Sequence, residues 1–480
     1  MAFNSYVFIL FFLPAVLAGY YLCFFRKGSR SVSVFLLTAS VVFYVSAGWE
    51  TSIVLLISIL LNYGVFYGLK VCSRHRLLRE GGGKYLLGIG IICNLVLLIY
   101  FKYYNFLVDS SNLLFDSKLA VREILAPLGI SFITFQQIAF LVDASRQEIS
   151  SCNFPDYILF ISYFPHVSSG PIIRHSDFLP LLQADRKMDW DKFSAGIYMF
   201  VMGLGKKVLI ADVFGSAVDW GYANIDALNS TSAVFVSLAY TMQIYFDFSG
   251  YSDMAIGISR MLQLDLPFNF NSPYQADTIV EFWKRWHMTL TGFLTKYLYI
   301  PLGGNRKGRA RAYVNTLLVF ICSGLWHGAS WTFVLWGGMH GCFMVFTKHF
   351  RKVFDRIPSF LNKSITLLFV NFTWILFRAQ SFTVFKQMMG VLMKNDWGKL
   401  RDEISVCFRP VVAENLSCPD WLYAVIFSAV ILFAVLKCDN VQERAKNMKY
   451  SFLSCVWVWV VAVVSILSLS GVTTFVYSLF

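Results

Sequence analysis

What most limits the fold of this chain is the recurrence of mostly apolar runs about twenty residues long. They are readable near 6–24, 31–48, 52–69 and 85–106, and again near 364–380, 420–436 and 452–475. A helix of about 20 residues rises through a hydrocarbon core of about 30 Å. It also satisfies its own backbone hydrogen bonds, which lipid cannot do. Charged residues make up only 14% of the 480, and hydrophobic ones 57%. Soluble domains carry about 25% charge, so this chain cannot cover a water-exposed surface. The expected class is all-α and polytopic, with roughly ten or eleven spans.

The net charge of +13 raises the question of nucleic acid, but the bases are not spread over one surface. They cluster between apolar runs: Arg26, Lys27 and Arg30; Lys70, Arg74, Arg76, Arg79 and Lys84; Lys348, Arg351 and Lys352. Cytoplasmic loops have this pattern, and their partner is anionic membrane lipid. Loops 25–30 and 70–84 are placed inside and the N-terminus outside. The first apolar run has no base before Arg26, unlike a cleaved secretory signal. At the other end, 348–356 and 437–449 read as inside and 381–419 as an external loop. Ten cysteines form no CxxC pair, so no zinc site or disulfide framework is expected. Cys407 and Cys418, in one polar loop, are the pair placed to join.

The middle of the chain is different. "PLGISFITFQQIAFLVD" (127–143) and "ISYFPHVSSGPIIRHSDFLP" (161–180) are apolar but interrupted by Pro, Gly and polar residues. "YTMQIYFDFSGYSDMAIGIS" (240–259) carries Asp247 and Asp253 in an apolar frame. All three read as half helices or re-entrant segments lining an interior, where irregular backbone is shielded. Buried acids of this kind point to function by default. The chain reads as one membrane domain over 1–480: N-terminal spans 1–110, a core at 127–350, and C-terminal spans 364–480.

Two histidines stand out. His287 lies in "EFWKRWHMTLTGFLTKYLYIPLGGNRKG" (281–308) and His327 in "SGLWHGASW" (323–331). A neutral imidazole held in an apolar interior can accept a proton from a hydroxyl, at a gain of about 10²–10⁴-fold. The bland alternative for His327 is a hydrogen bond to a neighbouring helix. Gly324 and Gly328 beside Trp326 suggest close helix packing around His327. Helical spacing would put Trp283, Trp286 and His287 on one face, which also suits an interfacial anchor. Gly303 and Gly304 precede Asn305, Arg306, Lys307, Arg309 and Arg311. A glycine turn with exposed amides and cations can hold a phosphate, although an inside loop has the same composition. His340, thirteen residues after His327, raises a haem reading. On one helix the two rings would lie ~20 Å apart along the axis and could not share an iron. No metal site is expected.

These blocks, "FWKRWHMTLTGFLTKYLYIPLGGNR" with "GLWHGASWTFVLWGGMHG", resemble the signature of the membrane-bound O-acyltransferases. The likeness is to the bacterial branch of alginate, peptidoglycan and cellulose O-acetylation membrane subunits, with teichoic acid D-alanyl transferases more distant. "SFITFQQIAFLVD", "FPHVSSGPIIRHSDFLP", "YFDFSGYSDMAIGI", "LPFNFNSPYQADTIVEFW" and "WILFRAQSF" extend it over nearly the whole chain. The resemblance implies that His327 is the catalytic histidine and His287 the second polar position, commonly Asn or Asp elsewhere in the family. It implies a ring of tilted helices around a thin centre crossed by a tunnel, in the bacterial inner membrane. It also implies a cytoplasmic acyl thioester donor such as acetyl-CoA, with no bound cofactor. A periplasmic acyl-carrying partner would take the acyl group on to a polysaccharide acceptor.

On this reading His327 takes the hydroxyl proton, and His287 orients the acyl group or donates to the oxyanion. Arg285, Asn305 and Arg306 meet the donor. Asp247 and Asp253 fix a histidine tautomer or brace the tunnel, with Trp286, Trp326 and Gln137 as lining or support. A polysaccharide or lipid transporter is the rival from another class, since broken helices and buried acids occur there too. Internal repeats would favour it, and none is apparent.

Overall fold

The computed structural model describes residues 1–26, 29–74, 81–149, 151–184, 187–410, 418–447, 451–469 and 475. Lys27, Arg76 and Arg79 of the basic clusters lie outside the described residues. So do parts of the 437–449 stretch, the last span and the 381–419 segment, which is not the expected loop throughout but contains the helices Phe382–Met393 and Asp402–Ser405. The described elements are helices, with no strand among them. Five are long and apolar enough to cross a membrane: Phe8–Phe25, Trp49–Ser73, Gly82–Phe115, Ser359–Arg378 and Asp420–Lys437. Shorter apolar helices include Arg30–Val45, Ile130–Ser145 and Phe452–Leu467. The chain is an all-α, polytopic membrane protein. It divides into two compact units, Met1–Ile197 with Ala255–Pro267, and Tyr198–Met254 with Phe268–Phe480.

The first unit exposes apolar side chains, as lipid allows, and buries some polar ones among its apolar core. Leu22, Tyr67 and Ile92 are exposed, while Ser58, Asn62 and Asn94 are buried. Asn62 and Asn94 exchange amide hydrogen bonds at 3.3 and 2.6 Å. The expected interruptions over 127–180 are present. Helices Ile130–Ser145, Phe154–Ser162 and His175–Gln183 are short, and residues between the last two are buried without being helical. Such backbone needs partners, and side chains supply some: the Phe164 N–H donates to Ser40 Oγ at 3.2 Å.

The chain departs from the sequence expectation first along the helix that carries Asp247 and Asp253. Residues 240–259 are not a broken segment but part of a continuous 32-residue helix, Ser230–Met261. Its two acids are neutralised rather than solvated, so no interruption is needed. A π-helical turn, Lys206–Ala211, follows the Trp190–Gly205 helix and supplies the cations. Lys207 Nζ lies 2.6 Å from Asp247 and 2.8 Å from Asp212, and Lys206 Nζ lies 2.7 Å from Asp253. Gln442 Nε2 also donates to Asp253 at 3.3 Å.

The second correction concerns His327 and His340, which do not share a helix. Helix Gly308–His327 ends at His327, and Trp331–His349 begins after a short connector. The pair folds back as a hairpin whose main chains touch. A Cβ on Gly324 would collide with the Phe333 carbonyl oxygen, and one on Gly337 with that of Phe320.

Candidate active site

His287 sits at a break in the second unit rather than on a helical face with Trp283 and Trp286. Helix Ile279–Arg285 is capped by Thr278 Oγ1, which accepts from the Glu281 N–H at 3.3 Å, and it stops at Trp286. His287 is left-handed (φ 44°, ψ 54°), and a second helix, Met288–Leu294, starts after it. That conformation is uncommon outside glycine. Residues 269–271 run alongside and take up backbone groups at the break. The Asn271 N–H donates to Arg285 O at 2.9 Å, and the Met288 N–H to Asn269 O at 3.0 Å.

His287 and His327, both buried, come together with ring centroids 6.5 Å apart. Around them is an aromatic box. Trp326 lies 5.9 Å from His287 and 5.0 Å from His327, and Phe248 meets His287 edge-on at 4.8 Å. Trp336 and Phe377 close on His327 at 5.3 and 5.5 Å. Below the box, Trp286 packs against Phe270, Phe282 and Trp374 at 5.1–5.5 Å as part of the core.

The polar partner of His287 was missed in the sequence. Asn269 Oδ1 lies 2.9 Å from His287 Nδ1 and also accepts from Thr289 Oγ1 at 3.0 Å. Its only signal was an uncharged polar side chain between phenylalanines in "PFNFNSP". Lys206 and Lys207 were missed as well, although two cations in an apolar run should have been matched with the two acids downstream. Both acids are held by these lysines, so holding a histidine falls to Asn269.

His340 is a different kind of histidine. Its Nδ1 accepts from Trp283 Nε1–H at 3.2 Å, so Nε2 carries the proton and donates to Thr373 Oγ1 at 3.0 Å. Thr373 in turn donates to Val370 O at 2.9 Å. Both ring nitrogens serve packing, and no group of three or more metal-ligating side chains occurs among the described residues.

Beside the box is a cavity of about 460 Å³ lined mainly by apolar groups, with Trp283, Tyr299, Phe320 and Ser323 in its wall and Lys284 and Lys348 supplying charge. Ser323 stands one helical turn before His327. Asn305 and Arg306 are exposed on the following turn. The amides of that turn are already committed: Gly303 N–H donates to Ile300 O, Gly304 N–H to Tyr299 O and Arg306 N–H to Gly303 O, at 2.9–3.1 Å. The turn therefore offers cationic side chains rather than a cradle of free amides. Arg285 is bonded to Glu281 at 2.6 Å. Gln137 belongs to the first unit, where it accepts from Ser58 Oγ at 2.8 Å. Cys407 and Cys418 are both free thiols.

Residues 82–388 match the membrane-bound O-acyltransferase family, and the chain belongs to it. It is 37% identical over 429 residues to a peptidoglycan O-acetyltransferase of Helicobacter pylori, covering 82% of this chain and 80% of that one. It is 38% identical over 406 residues to a probable alginate O-acetylase, AlgI, of Pseudomonas putida, covering 83% and 81%. A teichoic acid D-alanyltransferase of Bacillus subtilis is 27% identical over 274 residues, covering 53% and 68%. The protein is an O-acyltransferase, which sets the transporter reading aside.

Proposed function

We propose that this enzyme moves an acetyl or similarly short acyl group from a cytoplasmic thioester, most simply acetyl-CoA, for O-acetylation of an extracytoplasmic polysaccharide. The observation that carries the reading is the buried His287–His327 pair, with ring centroids 6.5 Å apart inside an aromatic box. One imidazole takes the proton of an incoming hydroxyl as its oxygen bonds to the thioester carbon. The C–S bond then breaks, and the thiolate recovers the proton. The apolar walls keep competing water out, and a base so placed contributes about 10²–10⁴-fold.

Donor entry is assigned to the side bearing Lys284, Lys348 and Arg306. A cavity of about 460 Å³ lies within the usual range of roughly 300–1,000 Å³ for small-molecule sites, and its cations complement the phosphates of a nucleotide-bearing thioester. Relatives named for peptidoglycan and alginate O-acetylation support a glycan as the final acceptor. A polymer is too bulky for such a box, so a periplasmic acyl-carrying partner receives the group first. Such a route places the enzyme in the bacterial inner membrane.

The test uses proteoliposomes supplied with radiolabelled acetyl-CoA on one side and the partner with an oligosaccharide on the other. Label appearing on the far side in wild type, and lost in a monodisperse His327→Ala variant, supports the reading. Undiminished transfer by that variant would sink the assignment of the site. Label delivered only from a D-alanyl carrier would move the chain to the teichoic acid branch of the family.

A further inference from the structure

The hydrogen bonds around Asn269 determine which nitrogen of His287 is basic. The Thr289 backbone N–H points at Asn269 Oδ1 from 3.4 Å, and a backbone N–H can only donate. The amide atom facing it is therefore oxygen, which agrees with Asn269 Nδ2 donating to Ser252 Oγ at 3.4 Å. The same oxygen lies 2.9 Å from His287 Nδ1 and must receive a proton from it. A neutral ring with hydrogen on Nδ1 carries its lone pair on Nε2. Burial between Phe248 and Trp326 favours the neutral ring. In that state Nε2 has no hydrogen to offer an oxyanion, the role first considered for His287.

We infer that Asn269 is a positioning residue that holds His287 as a proton acceptor at Nε2, so that the site has two basic rings. This rests on the acyl-transfer reading. The proton leaving the hydroxyl as the O–C bond forms is taken by His287 or His327, and the same ring returns it to the thiolate when the C–S bond breaks. Asn269 sits on the segment whose main chain already accepts the Met288 N–H. One residue thus sets both the backbone break and the tautomer. The pattern is that of an orienting group behind a catalytic imidazole, with a neutral amide in place of a carboxylate.

The charged and titratable groups packed around His287 are few. His327 faces it from the Gly308–His327 helix. Asp247 and Asp253, on the helix that carries Phe248, are held by Lys207 and Lys206. Arg285, just before the break, is held by Glu281. Changing Asn269 to a carboxylate therefore places one new charge against the ring.

The test compares full-length wild type with Asn269→Asp, Asn269→Leu and His287→Gln in proteoliposomes. A carboxylate against Nδ1–H raises the basicity of His287, and the ring must be neutral to accept a proton. The acidic limb of the kcat/KM profile should therefore move to higher pH by about one unit, and the shift should vanish in the Asn269→Asp, His287→Gln double variant. Asn269→Leu should lower kcat about tenfold or more with little change in KM. A limb that stays in place in active Asn269→Asp protein would overturn the proposal. Separately, ¹⁵N-histidine NMR of wild type in nanodiscs, with the signal assigned by its loss in His287→Gln, reads the tautomer without turnover. Hydrogen on Nδ1 is expected, and hydrogen on Nε2 would overturn the inference. Absent transfer by wild type would count against the acyl-transfer reading alone, because the tautomer is measured independently.

Discussion

The second unit contains two buried polar regions solved in opposite ways. Along the Ser230–Met261 helix, full charges are buried and each is cancelled by a partner 2.6–2.8 Å away. Around His287 and His327 the polar groups are imidazoles walled in by aromatic rings. An ion pair buried in this way fixes two segments in place and has little left to give a substrate. A neutral ring in an apolar box is cheap to bury and can still take up a proton. The contrast separates brace from candidate site better than burial does, since Asp247, Asp253, Lys207, His287 and His327 are all buried.

The sharpest way to break this comparison is at His327. His327→Ala should lower transfer by about 10²–10⁴-fold while leaving the melting temperature in detergent near wild type, and a parallel loss of folding would erase the distinction. The converse test is Lys207→Met, which leaves Asp247 buried beside an apolar side chain. It should cost about 3–5 kcal/mol of stability, read as a lowered melting temperature. Asp247→Asn in the same chain should recover part of the loss. Gly324→Ala tests the hairpin that carries His327, and the clash with the Phe333 carbonyl should cost about 1–3 kcal/mol with activity falling in step with the folded fraction. The smallest effect is expected at the surface: Arg306→Ala should raise KM for acetyl-CoA a few-fold, without changing kcat, and the difference should shrink at high salt.

The helical, membrane-embedded class was legible because an apolar run long enough to cross a bilayer has few other fates. The meeting of His287 and His327 was legible because each stands beside tryptophan in an apolar block, which suggests an interior rather than a loop. The break at Trp286–His287 was not, since no Pro or Gly marks it and the left-handed residue is a histidine held by a distant segment. Asn269 escaped for a related reason: its role depends on a hydrogen bond across eighteen residues, which no local periodicity records. The 240–259 segment misled because acids in an apolar run look like an interruption until their lysines are found on another helix. The amides of the Gly303–Gly304 turn looked available because composition cannot show that the turn closes on its own carbonyls.

The contacts at Gly324 and Gly337 limit how the enzyme can open. Two helices whose main chains meet at single glycines cannot slide along one another, because a shift of one residue would drive a side chain into a backbone carbonyl. A piston motion of the hairpin is thereby blocked. The depth of His327 is locked to that of its helical neighbour.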